Sequence, residues 1–208
     1  MDDRFLTAFL SLERHKVAGH TLRPFSLRHR LTLEAIASPL LPGSPNAGKA
    51  TPTDLILAAR VCSMPDAFDA VRRSRWLDRF WLVRMTLNPS RYMEQLGRWR
   101  GYILDTAQHP IIAAKTEKEG RRDSGVDWML SVVCGLKRLG FTEEEAWTMP
   151  EGRALFYFYA DAIRDGAEVR IVTTEAEAKL PAARAAVAAA VAKAQAAAEA
   201  KAGKGGKR

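Results

Sequence analysis

The chain has only two cysteines in 208 residues, Cys62 and Cys134. That excludes a disulfide scaffold and any four-cysteine zinc site. Its four histidines, His15, His20, His29 and His109, form no His-x3-His pair and no His-Glu-x-x-His motif. Their spacing matches no metal site, and surface or helix-capping roles are expected for them. No Gly-x-Ser-x-Gly nucleophile elbow occurs. No run of about 18 apolar residues is present, so no transmembrane helix is expected. The opening Met1-Asp2-Asp3 is acidic and is followed by no apolar stretch with a small-residue cleavage site. No signal peptide is expected, and the cytoplasm is the expected compartment.

What is present points to a folded protein. Hydrophobic residues make up 47% of the chain, enough for one domain or two small ones with a packed core. The net charge of +8 is not one patch. Residues 173–208 hold seven Lys and Arg against three Glu, which is +4, and leave +4 for residues 1–172. A body with that balance does not require a polyanionic partner. The tail ends Lys-Ala-Gly-Lys-Gly-Gly-Lys-Arg and reads as a solvated basic end, capable of weak contact with nucleic acid.

Apolar spacing and punctuation predict helices throughout. Phe5, Leu6, Phe9, Leu10 and Leu12 form one stripe, with Lys16 near its end and Gly19 able to stop it. Ser26 is a predicted N-cap for a helix over 27–37. Residues 39–50 hold three Pro and two Gly and read as a loop. Thr51-Pro52-Thr53-Asp54 opens a helix to about Ser63, with Cys62 on its buried face. One long helix is expected over 66–87. Asn88-Pro89 starts another, in which Tyr92, Leu96, Trp99 and Ile103 share a face. Gly97 and Gly101 inside it each cost about 1 kcal/mol against alanine and are tolerable if another helix packs closely on that face. Ser124 and Asp127 resemble a cap pair for a helix bearing Val126, Met129, Leu130, Val133 and Leu136, with Cys134 expected on an apolar, inert face. Thr142 and Glu145 spell a capping box for 143–148. Leu155, Phe158, Tyr159, Ala162 and Ile163 give an amphipathic helix. Asp161, Asp165 and Glu168 near its end read as a solvated acidic face. Residues 168–172 alternate as a strand would, with no evident partner strand.

The expected fold is therefore all-α: an irregular bundle of about eight or nine mostly short helices. An N-terminal helical region spans 1–110, a linker 111–124, and a C-terminal helical region packed on the first 125–172. An alanine/lysine-rich tail follows over 173–208, with 16 Ala in residues 176–202.

Two motifs carry candidate chemistry. Gly43-Ser44-Pro45-Asn46-Ala47-Gly48-Lys49-Ala50 nearly spells a phosphate-binding loop. Ala50 replaces the magnesium-binding hydroxyl, Pro45 removes one N–H from the cradle, and no buried strand precedes it, so a chance match is the better reading. Arg72, Arg75 and Arg79 share a helix face beside Trp76, within a stretch that also holds Arg84, Arg91, Arg98 and Arg100. Arginine with aromatics suits stacking and phosphate contact, and equally a solvated helix face.

Residues 125–172 carry a further pattern. Asp127-Trp128 opens a helix. Gly140-Phe141-Thr142-Glu143-Glu144-Glu145-Ala146-Trp147-Thr148-Met149-Pro150 follows, and an Ala/Leu/aromatic helix ends in Asp165-Gly166-Ala167-Glu168. This resembles small helical proteins of tailed phages and prophages, of the tail-assembly chaperone type. Phe25-Ser26-Leu27-Arg28-His29 and Thr51-Pro52-Thr53-Asp54-Leu55 are similar to phage proteins of the same neighbourhood. The resemblance implies a non-enzymatic protein without metal or cofactor. Its partner would be a tail component such as the tape-measure protein. Trp147, Met149, Phe156 and Tyr157 are the expected partner contacts. The alternative expectation is a nucleic-acid-binding or virion structural protein using Arg72, Arg75, Arg79 and Trp76.

Overall fold

The computed structural model describes residues 3–10, 14–72, 76–107, 109–114, 127–167 and 169–172. Nine helices and two small antiparallel sheets make up these residues. The all-α class follows from their balance. The expected linker residues 115–124 and the tail 173–208 lie outside the described residues, as does Ser124.

Local chemistry sets most boundaries. Helix α1 spans Asp3–Leu10. Helix α2 (Leu27–Ala35) starts in a capping box in which Ser26 Oγ accepts from the His29 N–H. His29 Nδ1 accepts in return from the Ser26 N–H at 3.2 Å. Histidine thus occupies the place usually held by Glu. Helix α3 (Pro52–Ser63) has the Thr51/Asp54 box and Pro at its first position. Asn88 caps the 18-residue α6 (Pro89–Thr106). Asp127 caps α7 (Trp128–Arg138), and the Thr142/Glu145 box caps α8 (Glu143–Thr148). Helix α9 covers Glu151–Arg164.

Helices α4 (Ala67–Arg72) and α5 (Trp76–Leu87) lie within the helix expected over 66–87, and residues 73–75 between them lie outside the described residues. Three other expectations are corrected. Lys16 and Gly19 do not end a helix. They belong to a hairpin of β1 (Lys16–Val17) and β2 (His20–Thr21), turned by Ala18 and Gly19, both at positive φ. A two-residue turn of that kind matches the twist of paired strands. Residues 111–114, assigned to the linker by position, form β3 (Ile111–Ala114). They pair with β4 (Val169–Val172), so the alternating segment has its partner after all. Finally, α9 buries Ala154, Leu155 and Phe156, while Ile163 is exposed. Its buried face is rotated because α1 covers the Phe156 side.

Two apolar clusters share α2. The first gathers Val17, Phe25, Leu33, Leu55, Met85, Trp99 and Tyr102. The second gathers Leu27, Met129, Val133, Leu136, Ala146 and Leu155. Leu27 and Leu33 point into different clusters from one helix. A backbone bridge joins the regions: Glu151 N–H donates to the Phe25 carbonyl at 2.7 Å, beside the Ser26–Pro150 pairing. The 39–50 loop is held on α6 by side chains. Tyr92 Oη donates to the Ala50 carbonyl at 2.6 Å and Trp99 Nε1 to the Leu40 carbonyl at 3.3 Å.

Candidate partner-binding surface

The buried polar groups are committed to structure. Asp78 accepts from Arg60 Nη1 at 2.6 Å and lies 2.9 Å from His20 Nε2. Ser63 Oγ stands 3.5 Å from His20 Nδ1, which assembles a serine, a histidine and an aspartate. The hydroxyl, however, donates to the Arg60 carbonyl at 2.8 Å, and Arg60 neutralises the carboxylate. The trio pins the β1–β2 hairpin to α3 and α5 and leaves the serine no activated lone pair. A second knot joins Arg30, Glu151 and His109, with His109 Nε2 at 2.5 Å from the Glu151 carboxylate.

Histidine and cysteine chemistry follows burial. Desolvation pushes His29 down to about 4, so it is neutral and free to accept the Ser26 N–H. His29 is thus a cap, as expected, but a buried one. Burial pushes the Cys62 thiol up to about 12, which suits an inert core residue. Cys134 was expected on an apolar face and is instead exposed, because α7 turns Val132, Val133 and Leu136 inward. Asp161 was expected in solvent. It is buried and paired with Arg164 at 2.6 Å and Arg138 at 3.7 Å. Glu168 lies outside the described residues.

The near-match to a phosphate loop folds into turns on itself. The N–H groups of Ala47 and Lys49 donate to the Ser44 and Asn46 carbonyls, and that of Asn46 to Ser44 Oγ. The cradle a phosphate needs is spent internally. The loop instead forms one wall of a groove of about 620 Å³ along α6, lined by Leu40, Leu41, Tyr92, Leu96, Trp99 and Ile103. Among the described residues, no group of three His, Cys, Asp or Glu could hold a metal ion. Nor is any helix among them long and apolar enough to cross a membrane.

The partner contacts expected in the C-terminal region are mostly engaged. Phe156 is buried edge-on against Phe5 and Phe9, so it is a core residue rather than a contact. Tyr157 is half-buried between Phe9 and Phe141. Met149 and Trp147 are half-buried at the edge of the second cluster. Trp147 also lines a small cleft with Arg28, Leu31 and Phe68.

Among the exposed apolar residues, which also include Phe68, Met93 and Leu104, four lie together on α5. Trp76, Phe80, Val83 and Leu87 are 79%, 49%, 57% and 80% exposed. They recur at i, i+4, i+7 and i+11, along one face about 16 Å long. Asp78 and Met85, on the opposite side, are buried. The helix therefore packs by its back and turns its apolar front to solvent. Arg79 and Arg84 flank that front, both exposed. Arg84 lies over the rings of Phe80 and Trp81, at 5.9 and 5.5 Å from their centroids. Of the arginines proposed for nucleic acid, Arg72 and Arg79 are exposed, and Trp76 is the stripe's first member. Arg75 lies outside the described residues. Arg91 and Arg98 both pair with Glu94, so their charge is partly spent. The signal for the stripe was present in the sequence, but its spacing equally describes a core face.

Comparison with protein-family models, with curated proteins and with solved structures finds no match for this chain.

Proposed function

We propose that this chain is a non-enzymatic assembly factor that holds an unassembled helical protein, of the tail-assembly chaperone type found in tailed phages. The observation that carries the reading is the outward apolar front of α5. Contiguous apolar surface on a packed helix costs solvation and marks an interaction site. The resemblance over residues 125–172 supplies the biological class, and a tail component such as the tape-measure protein is the proposed partner. The polar knots at Asp78 and Glu151 tie elements together, and Arg30 and His109 of the second also line a cleft of about 460 Å³.

The test is co-purification with the proteins that the neighbouring genes encode. The wild-type chain should retain one of them at micromolar concentration, and Trp76→Ser with Leu87→Ser should release it. Failure to retain any of them at that concentration removes the reading.

A second reading has one observation in its favour: Arg72 and Arg79 are exposed near the open ring of Trp76. It makes the same surface a nucleic-acid face. DNA binding should then fall steeply with salt and be lost on Arg72→Ala with Arg79→Ala. No binding at low salt removes it.

A further inference from the structure

The α5 front has the spacing of a coiled-coil seam. From Trp76 the apolar residues advance by four, three and four positions to Phe80, Val83 and Leu87. In a heptad these are successive d, a, d and a sites. Arg79 then falls at g and Arg84 at e, the two positions that flank the seam and choose the partner by charge. Leu77 takes the other e site and Thr86 the other g. Asp78 and Met85 take the f sites, which face away from a partner, and both are buried in this chain's own core.

Among the described residues the flanking arginines have no carboxylate partner. Several arginines elsewhere meet carboxylates, as Arg28 meets Glu144, Arg91 and Arg98 meet Glu94, and Arg138 and Arg164 meet Asp161, whereas Arg23, Arg72 and Arg100 are exposed and, like Arg79 and Arg84, meet none among the described residues. Among the described residues, neither Arg79 nor Arg84 has a carboxylate within 4.0 Å. α5 has one acidic residue, Asp78, and it is buried under Arg60 and His20.

We infer that α5 is half of a heteromeric coiled coil, whose missing half is a partner helix with apolar a and d sites and carboxylates at its e and g sites. The inference rests on the assembly reading above and names the chemistry of its partner. A second copy of this chain is a poor fit. Pairing α5 with itself sets Arg79 of one copy toward Arg84 of the other, with no acid to relieve them. The chain's own tail is equally poor, because residues 173–208 carry seven basic and three acidic residues. An anionic bilayer has a suitable charge, but a strict a/d seam is narrower than the broad apolar face of interfacial helices.

The test uses two fluorescent synthetic peptides of about three heptads, with leucine at a and d. One has Glu at every e and g site and the other Lys, so each repels its own copies. Anisotropy should show the full chain binding the Glu peptide about tenfold more tightly than the Lys peptide at low salt, the gap closing as salt rises. Arg79→Glu with Arg84→Glu should reverse the preference. Trp76→Ser with Leu87→Ser should abolish binding of both peptides while leaving the thermal midpoint unchanged. Equal affinity for the two peptides overturns the inference. So does a wild-type dimer in sedimentation that Trp76→Ser with Leu87→Ser makes monomeric, or binding to anionic vesicles without binding to the Glu peptide. Retention of a tail protein that depends on Trp76 and Leu87 but not on Arg79 and Arg84 would sink this inference and leave the assembly reading intact. A Glu-peptide preference with no tail protein retained would do the opposite.

Discussion

Arg30 and Glu151 meet across 121 residues of sequence, with Arg30 Nε 2.8 Å from each oxygen of a fully buried carboxylate. The pair ties α2 to the first turn of α9, at the seam between the two apolar clusters. Arg30 also lies over the rings of Phe25 and Trp128, each centroid 5.6 Å away. One guanidinium thereby touches both halves of the molecule.

Removing one member leaves the other with a poorer set of partners, Glu151 with His109 and Arg30 with Glu34 at 3.8 Å. Glu151→Gln or Arg30→Met should each destabilise the chain by about 3–5 kcal/mol. The double variant Arg30→Met with Glu151→Leu should lie closer to the wild type than either single change, because no buried charge is left over. Urea denaturation read by circular dichroism checks this. Single variants within about 1 kcal/mol of the wild type would show that the pair is not structural.

No close neighbour lies over Gly97 or Gly101 among the described residues. A Cβ at either position would meet nothing within 4 Å. Both glycines sit inside α6, where they carry an entropic cost without a packing return. Gly97→Ala and Gly101→Ala should each raise stability by roughly 0.5–1 kcal/mol. Gly19→Ala should do the reverse. Its φ is +78°, and a Cβ there would lie within contact of Trp81. A drop of about 1–3 kcal/mol is expected from strain and overpacking together. Thermal melts of the three variants decide the signs.

His29 makes stability depend on pH. Burial lowers its folded-state pKa to about 4, from 6.5 in the unfolded chain. The unfolded state therefore binds the proton first as pH falls below 6.5. The contribution from neutral His29 is fully present above 6.5 and is lost on acidification toward 4, to a total of about 3 kcal/mol. His29→Gln keeps an acceptor for the Ser26 N–H but cannot titrate. Urea midpoints measured from neutral pH down to the mid-fours should fall more for the wild type than for His29→Gln. Parallel curves would contradict the assignment.

Trp76 and Phe156 separate surface from core. Both are aromatic and both lie at helical spacing, yet Trp76 is 79% exposed and Phe156 is 6% exposed. Trp76→Ser should change stability by less than about 0.5 kcal/mol. Phe156→Ala opens a cavity under Phe5 and Phe9 and should cost about 3–5 kcal/mol. Chemical denaturation distinguishes them, and similar losses at the two sites would place α5 in a core.

The sequence by itself determined most of the helices, four of their caps and the proline and glycine breaks after 38, 63, 87 and 140. Ser26, Thr51, Asn88 and Thr142 could be recognised because a cap bonds to backbone two or three residues away, whereas Asp127 was legible only as one of a pair with Ser124. The all-α class followed from those local signals and from apolar periodicity. Periodicity also marked Phe80 and Val83 on the helix that holds Trp76, and Leu155 on α9, but it could not say what would cover them. Only the tertiary structure decided that α9 turns Phe156 inward and that α5 turns Leu87 outward. It alone paired Ile111 with Val172 and Arg30 with Glu151. The physical reason is range. Capping and turns are settled within a few residues, whereas burial depends on which distant segment arrives to exclude water.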